Sequence, residues 1–539
     1  MSRPAPSGAP VAPTVGALAD RYDAVVIGGG HNGLTCAAYL ARGGVDVLVV
    51  EARTTVGGCA STEEVLGGAR VNVCNCDHSL VRATGIIDDL ELERHGLRYL
   101  ELDPAQVMTP WDGSPAWVLC NDPDRTLQSL ALTYPRELAN YRRHLDELRP
   151  VAELVLAMTS GAPEIGAVAR QLARLRGRGL KGLLRLGRMS CTDVLRTYFR
   201  DEALLAAPAT TGPSVWGLDP SRPGTGLGAL GFVLRHVLPV GRPVGGSGRL
   251  TDALGAAVRA HGGTILTGRR VTQIRTAGGR TAGVTLDDGR RIAAGTVIAA
   301  ANPHEALAHL LQSPTGGAGE RLVRRWRAKP AHGGYESKVD ALIDELPRPH
   351  RLTDRHLAAV GLEHPLASTF VVSPTLSQIT GAAASAKVGR IARRPPMLAN
   401  APSAMDDSLR PAGGAHVFSL EVLFTPYDLT GGWNDHREPE RWLREFAGLV
   451  QPGFFEAIRE WRLVAPPDYE RDFAMPRGHA PSFAGGPLTA LVGRDRELTR
   501  YRTPVPGLYL SGAGTFPGAG VSGAPGRNAA QVALADRDG

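Results

Sequence analysis

The chain has 539 residues, of which 43% are hydrophobic, 21% are charged and 5% are aromatic, and its net charge at pH 7 is +7. This length exceeds one ordinary hydrophobic core and predicts two domains. The positive charge is a mild excess without a nucleic-acid-binding module, so we expect no nucleic-acid partner. No uncharged apolar run is long enough to span a bilayer.

Two features of the sequence bear on its compartment. Residues 1–20 are rich in Pro and Ala and have neither the apolar core nor the twin arginines of an export signal, so they predict a disordered leader. The six cysteines form no recognisable disulfide framework, which is typical of a reducing compartment. We therefore expect a cytoplasmic protein.

The first chemically informative segment is a strand–turn–helix–strand unit. Residues 24–27 form an apolar β-branched run, and after a glycine turn apolar residues recur at helical spacing. A second buried strand over residues 45–50 ends at Glu51, about 20 residues beyond the turn, where a ribose-binding acid is expected. A structural turn is the alternative, but the complete unit favours a bound dinucleotide, and Glu51 favours FAD or NAD over NADP. The glycines with G-x-G-x-x-G spacing are Gly28, Gly30 and Gly33.

Further regions extend this unit. Residues 250–266 predict a helix and a short strand, and residues 271–300 predict a β-meander followed by a buried strand. Near the C-terminus, a strand at residues 508–510 leads into a loop, residues 511–523, and then into a helix that starts around Ser522. We call this loop the C-terminal glycine loop. Its glycines make it either flexible or able to lie flat against a planar ligand.

Several motifs together resemble the phytoene dehydrogenase-related branch of the FAD-dependent oxidoreductases, which includes the carotenoid desaturases. The C-terminal glycine-rich motif is the most specific of them, and the resemblance extends over nearly the whole chain after the leader. The matching segments are GGGHNGL (28–34), VVEARTTVGG (49–58), VTQI with GRTAGVTLDDG (271–289), AANPHEAL (300–307) and GLYLSGAGTFPGAGVSGAPGRNAA (507–530).

The resemblance implies an α/β fold in which two domains are interleaved. One is a Rossmann-like FAD-binding domain of glutathione-reductase type, expected to comprise residues 21–95, 240–330 and 471–539. The other is a mixed α+β substrate-binding domain, expected to comprise residues 96–239 and 331–470. The chain would therefore pass between the two domains several times.

The resemblance also implies which residues contact FAD. Gly28, Gly30 and Gly33 would meet the pyrophosphate, and Glu51 would bind the adenosine ribose. The residues expected along the inner part of the cofactor are Arg53, Gly57 and Gly58. Val271 is expected beside the adenine. The residues expected near the isoalloxazine are Gly514, Thr515, Gly520, Val521 and Ser522. The last helix would direct its N-terminal dipole towards the ring and favour negative charge on the reduced flavin.

The implied reaction is dehydrogenation, or desaturation, of a hydrophobic or amphiphilic small molecule by hydride transfer to the flavin. The sequence contains neither a second nucleotide-binding unit nor a C-x-x-C pair, so dioxygen or a quinone is the expected electron acceptor. His479 and His304 are the candidate catalytic bases, although each also fits a surface or structural histidine.

Two alternatives remain open for the function. The same fold also serves flavin amine oxidases and isomerases, and an aromatic pair flanking the ring would favour amine oxidation; few aromatic residues lie near the flavin motifs in the sequence. The second alternative is a non-catalytic protein that retains FAD as a structural element, since cofactor binding alone does not prove turnover.

Two further patterns each allow more than one interpretation. If residues 72–78 are extended, Cys74, Cys76 and His78 share one face, as a metal site, a wall of the active site or buried small residues. Because no partner ligands occur at zinc-site spacing, we expect no metal. Residues 170–188 carry seven basic side chains and no acidic one, interleaved with leucines. They predict a basic amphipathic element that is either a solvated face or a peripheral contact with an anionic membrane.

Overall fold

The structure is a computed structural model of the chain. It describes residues 18–538 except 75, 164, 313–316, 331–332, 435–436, 480–489, 492 and 519. Residues 1–17 of the predicted leader lie outside the described residues. Over the described part of the chain, no helix combines the length and the apolar character that a bilayer crossing requires.

A five-stranded parallel sheet forms the first layer of the fold. The two β-branched runs predicted from the sequence lie side by side in it, with Ala24 in register with Val47. Side chains on both faces are buried, because helices cover one face and a small antiparallel sheet covers the other. The predicted α/β class with a Rossmann-like domain is therefore confirmed. In spatial order the strands are Leu508–Leu510, Thr296–Ala299, Ala24–Ile27, Val47–Val50 and Thr264–Leu266.

Helices and the predicted meander cover the two faces of the parallel sheet. The first and last helices on one face approach closely at a glycine, where a Cβ atom on Gly526 would lie 2.1 Å from the carbonyl oxygen of Asn32. The helices on this face are His31–Arg42, Gly248–Ala260 and Ala524–Asp538. On the other face lie the strands Val271–Ala277, Arg280–Leu286 and Arg291–Ile292 and the helices Glu305–Leu310 and Gly317–Arg327.

A seven-stranded mixed sheet forms the second large layer. One neighbouring pair, Gln106–Pro110 with Thr369–Ser373, is parallel, and the other pairs are antiparallel. All its strands lie in segments predicted for the substrate-binding domain, and those of the parallel sheet lie in segments predicted for the FAD-binding domain; the domain boundaries themselves stay a prediction. In spatial order the strands are Ile458–Val464, Glu336–Ile343, His416–Leu423, Met397–Asn400, Thr369–Ser373, Gln106–Pro110 and Trp117–Leu119.

The two faces of the seven-stranded sheet differ in character. One face packs into a buried apolar cluster that includes Val339, Phe418 and Leu420. On the two strands 336–343 and 416–423, the alternate positions point to the opposite face and are mostly polar. This set, which we call the polar face, consists of Glu336, Lys338, Asp340, Ser419 and Glu421.

A layer of helices packs on the same face of the seven-stranded sheet as the polar face. It contacts the apolar side chains of that face, such as Met108, Val371 and Leu423. Its helices are Pro123–Thr133, Leu138–Thr159, Ile165–Arg174, Leu180–Leu186, Cys191–Tyr198, Glu202–Thr211 and Gly231–Val237. Other helices are Ile86–Asp89, Asp354–Val360, Leu376–Lys387, Arg437–Ala447, Pro466–Phe473 and Glu497–Arg500. There are also two short antiparallel sheets of two strands each. One pairs Thr62–Val65 with Ala69–Asn72, and the other pairs Tyr99–Glu101 with Gly241–Pro243.

The basic segment 170–188 forms the end of one helix and the whole of the next. The chain breaks between them where Arg176, Gly177 and Gly179 adopt left-handed φ angles of 52°, 69° and 81°. Leu183 and Leu186 are buried, whereas all seven basic side chains are exposed. The predicted amphipathic character is therefore confirmed, with a break that its glycines permit.

Candidate active site

The turn after the first strand leaves room that only glycines provide. Gly28 ends the strand with a left-handed φ of 101°, and its N–H donates to the Val50 carbonyl oxygen at 2.8 Å. A Cβ atom on Gly33 would lie 2.0 Å from the Gly28 carbonyl oxygen. Gly30 caps the first helix without a side-chain hydrogen bond. The N–H groups of the first helical turn are therefore available to an anion, as the sequence predicts.

Glu51 lies directly beside this turn. Its buried carboxylate accepts hydrogen bonds from the backbone N–H groups of Gly29 at 2.7 Å and Arg53 at 2.8 Å. The Gly57 N–H donates to the Gly29 carbonyl oxygen at 2.8 Å, and a Cβ atom on Gly58 would lie 3.4 Å from the Cα atom of Gly30. The predicted pyrophosphate, ribose and inner cofactor segments therefore meet in one place, which we call the glycine cradle (residues 28–33, 51 and 57–58).

Two further residues predicted to contact the cofactor, Val271 and Arg53, lie in different surroundings. The segment before Val271 reaches the cradle, because the Arg269 N–H donates to the Glu51 carbonyl oxygen at 3.1 Å. Val271 itself is buried in the apolar cluster beneath the meander. The Arg53 guanidinium pairs with Glu63 at 2.5 Å and lies 4.5 Å from the centre of the Phe473 ring.

The C-terminal glycine loop returns to the start of the first helix. Its Ser511 N–H donates to the Ala299 carbonyl oxygen at 2.9 Å, and the Val521 carbonyl oxygen accepts from Val81 at 3.0 Å. The Ser522 carbonyl oxygen accepts from the Thr84 hydroxyl at 3.4 Å. Gly514 and Thr515 are buried, and the Thr515 hydroxyl donates to the Gly512 carbonyl oxygen at 2.9 Å. The loop thus lies at the carboxyl ends of the parallel strands, where ligands bind in open α/β sheets.

His31, the first residue of the first helix, joins the loop to the cradle. Burial lowers its pKa to about 4, and the facing backbone of Gly520 raises it in part. Three polar atoms in this area are buried and have no hydrogen-bond partner among the described residues: His31 Nε2, Asn32 Oδ1 and Ser511 Oγ. Because unpaired buried polar atoms are costly, they fit a site that a polar ligand completes. The residues present therefore fit FAD.

Two aromatic residues, Trp216 and Tyr335, connect the C-terminal glycine loop with the start of a strand of the seven-stranded sheet, and we call them the aromatic wall. A Cβ atom on Gly520 would lie 3.8 Å from Trp216 Cη2, and one on Gly217 would lie 2.7 Å from the Cβ atom of Tyr335. The rings of Tyr335 and His479 meet edge to face with centroids 5.6 Å apart. Of the two predicted bases, the structure therefore brings His479 to this wall.

His304 lies elsewhere. Its ring neighbours that of His309 at 5.3 Å, and its backbone N–H donates to the Asn302 side chain at 2.8 Å. Burial, followed by the charge of His309, lowers the pKa of His304. None of these contacts joins it to the aromatic wall, and its catalytic role stays a prediction.

The polar face of the seven-stranded sheet carries a network of buried charged and polar side chains. Lys338 Nζ donates to the Asn72 carbonyl oxygen at 2.7 Å and to the Ser419 hydroxyl at 3.1 Å, and it forms an ion pair with Asp340. Next to this network, Glu336 is the diagonal neighbour of Glu421 on the same face of the sheet. Burial is the main cause that raises the pKa of both carboxyls.

The predicted trio of Cys74, Cys76 and His78 does not converge, since regular strand structure ends at Asn72. The Cys74 thiol hydrogen-bonds Cys59, a contact that together with burial raises its pKa. The Cys76 thiol instead contacts Asp77 at 3.4 Å. The His78 ring contacts the Tyr99 and Ser247 hydroxyls at 3.0 and 3.1 Å. Among the described residues, no group of three metal-ligating side chains occurs.

The sequence interpretation missed four residues that the structure places at the site: Trp216, Tyr335, Glu336 and Glu421. One signal was available for the last two. Each lies within a strand-forming stretch of the sequence, and a carboxylate inside a buried apolar strand requires a partner. Nothing local in the sequence connects Trp216 or Tyr335 to the glycine motifs.

The chain is similar to proteins of known families over most of its length. The family model for flavin containing amine oxidoreductases matches residues 33–534. A mouse relative, pyridine nucleotide-disulfide oxidoreductase domain-containing protein 2, is 31% identical over 97% of this chain and 94% of its own. A limonene dehydrogenase polypeptide of Castellaniella defragrans is 25% identical over 95% of this chain and 94% of its own. Phytoene desaturase of Pantoea ananas is 26% identical over 94% and 98%.

Solved structures show the same fold. A redesigned putrescine oxidase is 17% identical, covers 96% of this chain and 99% of its own, and has a TM-score of 0.61. The resemblance to the phytoene dehydrogenase-related proteins and the prediction of FAD are both confirmed by these relatives. The chain therefore belongs to the flavin-containing amine oxidoreductase family and is an FAD-dependent oxidoreductase.

Proposed function

We propose that this enzyme dehydrogenates a hydrophobic or amphiphilic small molecule and passes the electrons to dioxygen or a quinone. The observation that carries the proposal is the pair of elements that bound the candidate site. The glycine cradle fits FAD, and the seven-stranded sheet contributes the polar face. The names of two relatives, limonene dehydrogenase and phytoene desaturase, support an apolar substrate. Bound FAD supplies the hydride acceptor for such a reaction.

In this proposal, backbone groups of the cradle hold the cofactor. The free N–H groups at the start of the first helix and the glycines of the turn would meet the pyrophosphate. Glu51, which already accepts two backbone hydrogen bonds, would also accept from the ribose hydroxyls. Gly520, Val521 and Ser522 would lie along the ring, at the start of the last helix.

Apolar side chains beside the polar face would hold the body of the substrate. Leu398 stands directly opposite Glu421 in strand register and keeps part of its surface accessible. Val215, which precedes Trp216, is half-buried against the same apolar cluster as Leu398. An apolar wall next to a few polar groups orients an amphiphilic molecule and excludes water from the reacting carbon atoms. His479 stays a candidate base at the edge of this space.

The test is anaerobic titration of the FAD-loaded enzyme with matched probes, followed by the flavin absorbance. Limonene, octanol and octylamine represent a hydrocarbon, an alcohol and an amine, the last two with the same alkyl chain. We expect the hydrocarbon or the alcohol to bleach the flavin. If no probe of a wider hydrophobic set bleaches a flavin that dithionite reduces, the proposal is wrong and the non-catalytic alternative gains support.

Amine oxidation is the second candidate function. The observation that favours it is the pair Trp216 and Tyr335, because aromatic faces attract cationic or amine groups. Bleaching by octylamine, but not by octanol or limonene, would identify this function. Trp216→Leu is then expected to raise the octylamine concentration needed for half-maximal bleaching while FAD content stays unchanged.

We also propose a cytoplasmic location with peripheral contact between residues 170–188 and an anionic membrane. The seven exposed basic side chains support it, and Leu184 is exposed among them. The free state of the six cysteines supports a reducing compartment. The enzyme should sediment with vesicles that contain phosphatidylserine and not with vesicles of phosphatidylcholine alone; equal behaviour towards both contradicts the membrane contact.

A further inference from the structure

Two buried carboxyl groups of the polar face form a pair that the cofactor motifs do not explain. Glu336 begins one strand of the seven-stranded sheet, and Glu421 lies on its antiparallel neighbour. Lys338 stands directly opposite Glu421, so Glu336 is the diagonal neighbour of Glu421 on the same face. The two carboxyl groups are close enough for the charge of Glu421 to affect the ionisation of Glu336. Because two negative charges so close together in a buried setting are unfavourable, the pair holds one proton.

The surroundings decide which carboxyl group keeps the proton. Glu336 is only 8% exposed, and burial together with the charge of Glu421 raises its pKa well above the usual range. Burial also raises the pKa of Glu421, but the neighbouring Glu336 carboxyl and the Lys338 ammonium oppose that rise. Glu336 is therefore the acid of the pair and Glu421 the carboxylate. The other titratable groups that face the pair are Tyr335, Cys59, Cys74, Asp77 and Tyr469.

Neighbouring side chains connect the pair with both glycine segments. On one side, Cys74 lies beside Glu336 and contacts Cys59, the residue after Gly57 and Gly58 of the cradle. On the other side, Tyr335 packs on Gly217, and the adjacent Trp216 reaches Gly520 of the C-terminal glycine loop. Glu421 keeps part of its surface accessible, as does Leu398, its opposite neighbour in strand register.

We propose that the Glu336–Glu421 pair is the proton acceptor of the dehydrogenation, an inference that rests on the proposed function. One C–H bond of the substrate gives its electron pair as hydride to bound FAD. The electron pair of the neighbouring C–H bond becomes the new double bond, and the proton of that bond moves to the Glu421 carboxylate. Both carboxyls of the pair are then protonated, and Glu421 releases its proton to water before the next turnover.

This arrangement gives the carboxylate the properties that a general base needs. An exposed glutamate is too weakly basic at neutral pH, whereas burial brings the proton affinity of Glu421 closer to the working pH. The neighbouring Glu336 carboxyl and the Lys338 ammonium keep Glu421 ionised until the proton arrives.

The test uses the FAD-loaded enzyme and needs no substrate. Infrared spectroscopy measures the carbonyl stretch of protonated carboxyl groups at neutral pH, and pH-indicator dyes measure proton uptake when the bound flavin is photoreduced. Reduction adds negative charge to the flavin, which raises the proton affinity of the neighbouring carboxyl pair. We therefore expect wild type to take up about one proton more per flavin than an enzyme without the acceptor.

The two single variants should give opposite results. Glu336→Gln removes the protonated carboxyl, so its infrared band is lost while the extra proton uptake persists. Glu421→Gln keeps the protonated carboxyl and loses the extra uptake. Glu460→Gln is the matched control, because Glu460 lies exposed on the same sheet and should leave both measurements unchanged. Should Glu421→Gln fail to retain FAD, Lys338→Met replaces it: Glu421 then holds a proton before reduction, and the extra uptake is lost.

Three results would overturn the proposal. The first is an infrared band that survives in Glu336→Gln, and the second is full proton uptake in Glu421→Gln. The third is loss of the extra uptake in His479→Asn, which would transfer the role to the histidine. Because these measurements need only a photoreducible flavin, they stay independent of the probe titration, and a failure of the proposed function is distinguished from a failure of the pair.

Discussion

The glycine cradle and the polar face build the same site by different means. In the cradle, most working groups are backbone N–H groups, with the Glu51 carboxylate as the exception, and the glycines are defined by the side chains that they lack. On the polar face, the working groups are side chains that meet because two distant strands pair, as Lys338 and Glu421 do. A site made of backbone is encoded locally, whereas a site made of side chains depends on the register of a whole sheet.

The largest expected effect would break the cradle. Gly33→Val places a Cβ atom where the Gly28 carbonyl oxygen lies only 2.0 Å away, so the first turn of the helix must move. We expect the purified protein to contain no measurable FAD, as determined from absorbance after acid release. Gly295→Ala is the matched control, because a Cβ atom there meets nothing within 4 Å. A yellow Gly33→Val protein with normal FAD content would show that the turn does not hold the cofactor.

The next prediction concerns a buried ion pair that is hydrogen-bonded to the seven-stranded sheet. Arg242 Nε donates to Asp77 at 2.7 Å, both side chains are buried, and Thr369 of the seven-stranded sheet donates to the same carboxylate. Arg242→Met removes the cationic partner of the buried Asp77 carboxylate, so the free energy of unfolding in urea should fall by about 3–5 kcal/mol. The double variant Asp77→Asn with Arg242→Met should recover part of that loss. Equal stability of wild type and Arg242→Met would contradict the prediction.

A smaller effect is expected where one side chain supports the cradle. Glu51→Gln keeps one acceptor oxygen but turns an amide NH2 group towards the backbone donor of Gly29 or Arg53. The affinity for FAD, measured by titrating the apoprotein, should fall about 10- to 100-fold, because charge-assisted hydrogen bonds of about 1.5–3 kcal/mol are weakened. The exposed Glu64→Gln is the matched control. Unchanged affinity in Glu51→Gln would remove Glu51 from the cofactor site.

The smallest effect is a dependence on pH. Burial, reinforced by the charges of His31 and Arg82, lowers the pKa of His78 from 6.5 to about 3. The folded protein thus requires the neutral ring, so its stabilisation is present above pH 6.5 and is lost as the pH falls below it, by about 1.4 kcal/mol per pH unit. His78→Asn should flatten the decrease in unfolding free energy between pH 6.5 and 5, and the exposed His261→Asn serves as the control. An unchanged slope in His78→Asn would contradict this account.

The local elements could be predicted from the sequence with small errors at their ends. The strands at residues 24–27, 264–266 and 508–510 have the predicted bounds. The second strand begins at Val47 rather than Val45, and the last helix begins at Ala524 rather than near Ser522. Gly523, with a left-handed φ of 68°, explains the latter shift because it still belongs to the loop.

The side-chain part of the site could not be predicted in this way. The trio Cys74, Cys76 and His78 was expected on one face of an extended segment, but the strand ends before it and each side chain contacts a different element. The carboxyl pair requires knowledge of which strands are neighbours and in which register. Periodicity indicates that a strand exists, but it does not indicate its partner.

The return of residues 508–538 to the first helix has a consequence for how the enzyme is made in the cell. During synthesis, residues 24–51 leave the ribosome early, but their neighbours from the C-terminal glycine loop and the last helix emerge only after more than four hundred further residues. A complete cofactor pocket therefore forms after translation of this segment, and the nascent N-terminal unit must remain unaggregated until then. Folding with such distant contacts is slow, so the supply of flavin and of chaperones during this interval should govern the yield of active enzyme.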